Sequence, residues 1–150
     1  MAKVIAIVCG PEQTKDVSGM VCDAFMESDV SIMETNSYLS DFLEGLPLDP
    51  FPYREIKDIM YDICREKFPT IWIDCIMHDL IEVTHSNPDA KIIVLGLDKK
   101  EEGDYFSASS NFPYLYVASN DDLSKLEKKI KSNLEDGGED GNSSTVQFLS

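Results

Sequence analysis

The sequence predicts a single α/β domain with a small parallel sheet covered by helices on both faces. Three observations carry that expectation: an all-apolar run at residues 4–9 ending at Gly10-Pro11, two further apolar runs at 92–97 and 114–118, and helical apolar spacing around them. Runs that are apolar throughout, rather than alternating, suit strands buried on both sides, the usual state of parallel strands with crossover helices. Strands alternating with helices give the same fold class. A length of 150 residues fits one domain of ordinary size.

Residues 3–9 read as the first strand, expected at the centre of the sheet. Val17, Met20, Val21, Ala24 and Phe25 recur at helical spacing, which predicts a helix from about residue 15 to 28. Strand, loop and helix form the first half of a βαβ unit. A polar stretch with a short helix near 37–43 follows, and Gly45-Leu46-Pro47-Leu48-Asp49-Pro50-Phe51-Pro52 then breaks regular structure with three prolines. Pro52 suits the first position of a helix carrying Ile56, Ile59, Met60, Ile63 and Cys64. Pro69 opens another, with Ile71, Trp72, Cys75, Ile76, Leu80 and Val83, which Asn87-Pro88-Asp89 ends. After the strands at 92–97 and 114–118, Asn120 reads as an N-cap. Asp121 and Asp122 fall in the first turn, and Leu123, Leu126, Ile130 and Leu134 run down one face.

This organisation divides the chain into a domain at 1–134 and a tail at 135–150. Residues 135–144 are rich in Gly, Ser and acids, the composition of a flexible spacer. Val146, Phe148 and Leu149 follow as a short β-prone segment whose exposure to water is unfavourable. They are expected to dock, adding a strand to a sheet edge of another chain or of a second copy. The alternative is a tail folded back on its own domain.

Composition narrows the function classes. Apolar residues make up 43% and charged residues 27% of the chain, as in ordinary globular proteins. No apolar run approaches a membrane span, and the first residues lack a signal-peptide layout, so no membrane partner and a cytoplasmic location are expected. Cys9, Cys22, Cys64 and Cys75 are widely spaced, lack a C-x-x-C pair and sit at apolar positions. They read as free buried thiols rather than disulfides or a zinc site. The net charge of −15 is spread through the body of the chain and repels nucleic-acid phosphates. A DNA-mimicking inhibitor is suggested by charge alone, and direct nucleic-acid binding is not expected.

Several residues qualify for chemistry. A P-loop needs G-x-x-x-x-G-K-[ST], with glycines freeing backbone N–H groups, a lysine on the outer phosphates and a hydroxyl on magnesium. Residues 10–17 keep Gly10 and Lys15, but the loop is one residue short. It lacks the second glycine, has Asp16 and Val17 after the lysine, and brings Glu12 to where phosphates would lie. A plain βα turn is the competing reading. Arg54, Asp58, Tyr61 and Arg65 fall on one helix face, opposite the apolar stripe. Gly10, Lys15, Arg54 and Arg65 are therefore the nucleotide- or anion-binding candidates, against a solvated face with an Arg54–Asp58 pair. His78, Glu82 and His85 share a face at i, i+4 and i+7, but no further ligand is evident and no metal is expected. Asp79 interrupts an apolar stripe, so it needs a partner or a cleft. Asp98 follows the second apolar strand, where open α/β sheets bind ligands.

The order of parts, and above all Tyr53-Arg54-Glu55-Ile56 through Arg65-Glu66-Lys67-Phe68-Pro69-Thr70-Ile71-Trp72-Ile73, resembles the deoxynucleoside monophosphate kinases of bacteriophages. That family has an Arg-Glu helix start, a later Arg and a Pro-x-x-Trp opening. Its P-loop ends Lys-Asp-Thr, partly echoed by Lys15-Asp16-Val17. The resemblance spans residues 3–134 and implies a three-layer P-loop-kinase domain. Departures from the family fall at its working parts. Tyr61-Asp62 stands where the family has Gly-Thr, Arg65 comes one position early, and Asp98 replaces an arginine of Asp-Val-Arg-Phe-x-Asn-Glu, of which only Glu102 keeps its place. Phosphoryl transfer depends on positioning and on neutralisation by Lys, Arg and Mg²⁺. The resemblance with these losses implies a catalytically degenerate domain acting as a binding or structural protein, in a virion or against a host partner, without cofactor. The alternative is a divergent active kinase using Lys15, ATP and Mg²⁺.

Overall fold

A computed structural model of the chain describes residues 2–25, 28–35, 37–44, 47, 52–118, 122–135 and 146–148. In chain order these form β1 (Lys3–Cys9), α1 (Pro11–Phe25), β2 (Val30–Glu34), α2 (Ser37–Glu44), α3 (Tyr53–Lys67), α4 (Ile71–Ser86), β3 (Lys91–Leu97), α5 (Lys100–Ser110), β4 (Tyr114–Val117), α6 (Leu123–Leu134) and β5 (Val146–Phe148). The strands make one sheet in the order β2-β3-β1-β4-β5. Every pairing is parallel, with Ile5 opposite Ile93, Ile7 opposite Leu115 and Ile32 opposite Ile93. The central place of β1 follows from its sequence, because a strand that is apolar on both faces loses most by sitting at an edge.

Alternation within β1 feeds two cores. Ile5, Ile7 and Cys9 pack with Val17, Val21 and Phe25 of α1 and with Leu126, Ile130 and Leu134 of α6. Val4, Ala6 and Val8 point the other way, toward Ile73, Ile76 and Leu80 of α4, Phe106 of α5 and Tyr114. The period of two along a strand thus produces three layers, with helices on both faces of the sheet. Two glycines permit close approaches. Gly96 has φ +108°, and a Cβ there would fall 2.0 Å from Thr35 Oγ1. A Cβ on Gly103 would fall 2.6 Å from the ring of Tyr114, so α5 lies down on β4 only because that side chain is absent.

Several boundaries differ from the sequence expectation. Helix α1 begins at Pro11, directly after Gly10, and not near residue 15. Proline fits the first helical turn, where its missing N–H has no partner to lose, and Gln13 N–H donates to the Gly10 carbonyl at 3.0 Å. Helix α4 starts at Ile71 with Thr70 as its N-cap. Asp122 caps α6, accepting from the Ser124 N–H at 2.9 Å; Asn120 and Asp121 lie outside the described residues. Strand β2 and helix α5 have no counterpart in the sequence reading. The last described segment lies on the sheet of its own chain. Val146–Phe148 pairs in parallel with β4 of the same chain, Tyr114 opposite Val146 and Tyr116 opposite Phe148. The strand thus adds to the edge of its own sheet, and Leu149 lies outside the described residues. Among the described residues, no helix is long and apolar enough to cross a membrane.

Candidate functional site, an acidic cleft at the switch point of the sheet

Neighbouring strands β1 and β3 send their following helices to opposite faces, α1 into one core and α5 into the other. The crevice beyond their carboxyl ends is therefore the topological switch point, where open α/β sheets bind ligands. A cleft of about 550 Å³ opens there, floored by Cys9, Thr35 and Gly96 and roofed by α3 through Asp58, Tyr61 and Arg65.

Helix α3 is held over this opening by aromatic and polar contacts. The Tyr61 ring stacks on Trp72 of α4, with centroids 5.1 Å apart and planes 4° from parallel. Such a pair contributes about 0.5–1.5 kcal/mol beyond its buried area. The Tyr61 hydroxyl is 2.6 Å from Thr35 Oγ1, and Trp72 Nε1–H donates to the Tyr61 carbonyl at 3.4 Å. Lys57 Nζ donates to Ser40 Oγ at 2.8 Å and Tyr53 OH to the Ser40 carbonyl at 3.2 Å, tying α3 to α2.

Arg65 reaches through the roof to the end of β3 and the start of α5. Its Nε donates to Glu102 Oε2 at 2.7 Å and its Nη1 to Asp98 Oδ2 at 3.1 Å, while Nη2 bonds both Asp98 and Glu102. One guanidinium thus meets two carboxylates in paired fashion. Glu102 also accepts from the backbone N–H of Asp98 at 3.0 Å and of Lys99 at 3.3 Å, so it caps α5 as well. All three side chains are mostly buried, with exposures of 14% for Arg65, 22% for Asp98 and 10% for Glu102. Burial opposes the charge on Arg65, but the hydrogen-bonded Glu102 outweighs it and holds the guanidinium above its ordinary pKa. At Asp98, burial together with the charge of Glu102 outweighs the pull of Arg65, so its carboxyl sits above the usual range. Burial likewise pushes the Tyr61 hydroxyl and the Cys9 thiol up.

Among the described residues, the charges lining the cleft are Glu34, Asp58, Asp62 and Asp98 against Lys57 and Arg65. Four acids face two bases, and one of those bases is consumed by Asp98 and Glu102. The field in the cleft is negative.

The predicted site residues divide accordingly. Arg65, Asp58, Tyr61 and Asp98 converge on the cleft, so this face of α3 is turned toward it, with Tyr61 and Arg65 partly buried and Asp58 exposed. Arg54 and Lys15 are exposed and lie outside the cleft lining. The Gly10 N–H donates to Gln13 Oε1 at 3.1 Å, and its carbonyl accepts from the Thr14 hydroxyl at 3.1 Å. Residues 11–17 are helical, so no loop curls around an anion-sized hole. Asp79 finds its partner in Tyr38, whose hydroxyl donates to Oδ2 at 2.5 Å. His78, Asp79 and Glu82 bring one ligand atom each within 4.8 Å of one another, and His85 is not part of that group. Glu34, Thr35 and Lys57 went unrecognised in the sequence. Thr35 carried a faint signal, standing just after a strand that is itself hard to see.

No protein-family model matches the chain, and no curated protein matches it beyond the level of chance.

Proposed function

We propose that this chain is a binding or structural protein on a nucleotide-kinase-like frame, of the kind found in phages, that does not transfer phosphoryl groups. The observation that carries this reading is the junction of β1 and α1. Only Gly10 separates strand from helix, and its N–H is occupied by Gln13. A phosphate cradle needs several consecutive N–H groups turned toward one hole, and a helix starting at Pro11 leaves no backbone for that. The cleft adds to the argument, since its arginine is neutralised from within and the remaining acids repel a triphosphate. Electrostatic neutralisation, the main contribution a protein makes to phosphoryl transfer, is lacking.

The test is a thermal-shift titration with Mg-ATP and with each deoxynucleoside monophosphate, coupled to a phosphoryl-transfer assay. A ligand at a hundred times its Kd adds about 2.7 kcal/mol, which is readily seen as a rise in Tm. The expected outcome is no shift and no transfer. Turnover that vanishes in Lys15→Ala would overturn the reading and make the protein an active kinase.

A further inference from the structure

Helix α3 is amphipathic in an unusual sense: its polar face is turned to the cleft and its apolar stripe is turned to water. No residue of α3 is buried. Ile59 is 57% and Ile63 49% exposed, among the largest exposures of any apolar side chain in the described residues, and Ile56 is half-buried beside them. At 100° per residue these three occupy one stripe about 60° wide. Glu55 and Glu66, both exposed, run along one side of that stripe. The exposed Lys67 lies on the other side, so acids border the stripe along one side only. A contiguous exposed apolar stripe of this kind marks an interaction surface rather than scattered surface isoleucines.

We propose that this outer face of α3 docks a basic amphipathic helix of a protein partner. Apolar anchors at i, i+3 and i+7 fit the helix-against-helix mode of recognition, and the acids along one side select lysines or arginines on the matching side of the partner's apolar face. Charge decides between occupants. A second copy would bring another net charge of −15 and the same acids against this one. An anionic membrane surface is repelled for the same reason. The cleft face of α3 is fixed by the Tyr61–Trp72 stack and the Arg65 ion pairs, so the helix offers its outer face on a rigid support. This deepens the binding role proposed above and rests on it only for the kind of work the surface does. The surface itself is independent of whether the cleft holds a nucleotide.

The probe is a synthetic helical peptide with leucines at i, i+3, i+4 and i+7 and lysines along one flank. It is titrated by fluorescence anisotropy against the full chain and against the double variant Ile59→Ser/Ile63→Ser. Both positions are exposed, so the variant keeps the fold, which its Tm verifies. The full chain is expected to bind the peptide about ten-fold or more tightly than the variant does, with affinity falling as salt rises. A control peptide with glutamates replacing the lysines is expected not to bind. Hydrogen exchange is expected to slow across residues 55–67 on binding. Equal binding by the variant, or by a lysine peptide lacking leucines, would overturn the proposal in favour of unspecific charge attraction. A dimer in sedimentation that becomes a monomer in the variant would overturn it in favour of a second copy. Phosphoryl transfer by a chain that still binds the peptide at α3 would sink the non-catalytic reading alone.

Discussion

Arg65 sets the character of the cleft, because two buried carboxylates depend on one guanidinium. Removing one member of a buried ion group leaves uncompensated charge and costs about 3–5 kcal/mol. Arg65→Ala is therefore expected to lower the unfolding free energy by an amount of that size, read as a lower urea midpoint with an unchanged slope of the transition. Asp98→Asn tests the same cluster through pH. The folded pKa of Asp98 lies above its unfolded value of about 3.9. The native state thus holds the Asp98 proton more tightly than the unfolded chain does. The resulting stability is fully present below the unfolded pKa and is lost as pH rises through the folded one. An asparagine side chain does not titrate and has no such dependence. The stability of Asp98→Asn relative to the parent is accordingly expected to improve as pH rises from about 4 toward neutrality. A difference that stays flat with pH would show that Asp98 ionises as it does in the unfolded chain.

At the scale of elements, what made a segment legible was burial on both sides. Strands β1, β3 and β4 announce themselves because each apolar run is buried almost throughout. Strand β2 is an edge strand with no fully buried residue, so Val30–Glu34 shows neither continuity nor alternation. Helix α5 reads Lys100 to Ser110 with a glycine, an aspartate and three serines, a composition of low helix propensity. What makes it helical is tertiary: Glu102 caps its first turn, and Phe106 is wholly buried against the sheet. Helix α3 was legible as a helix, but its orientation was not. Periodicity shows that two faces differ without saying which one meets the protein. Arg65 could be singled out from spacing, whereas the convergence of Asp98 and Glu102 on it depends on the crossover from α3 through α4 to β3. Gly103 gives a test of how α5 docks. Gly103→Ala should raise helix propensity by about 1 kcal/mol, yet the new methyl would meet the fully buried Tyr114 ring. Overpacking of that kind costs about 1–3 kcal/mol or more, so net destabilisation is expected by thermal melting. A more stable Gly103→Ala would mean that α5 sits farther from β4.

Over the whole molecule, a charge of −15 on 150 residues makes self-repulsion a property of the fold as much as of the surface. The acids are spread along the chain, so folding brings them closer together while the unfolded chain lets them separate. Screening relieves this. The Debye length falls from about 30 Å at 0.01 M to about 3 Å at 1 M salt. Tm is therefore expected to rise by several degrees between low and high NaCl at pH 7, against the usual assumption that salt weakens electrostatic stabilisation. The attractive cluster of Arg65 with Asp98 and Glu102 is mostly buried and is screened much less than the surface acids. Titration supplies the control. Near the isoelectric point, pI ≈ 4.3, the net charge vanishes and the rise with salt should shrink toward zero. If Tm falls with salt at pH 7, attractive surface pairs outweigh the repulsion, and the negative field invoked for both the cleft and the outer face of α3 is weaker than the charge count implies.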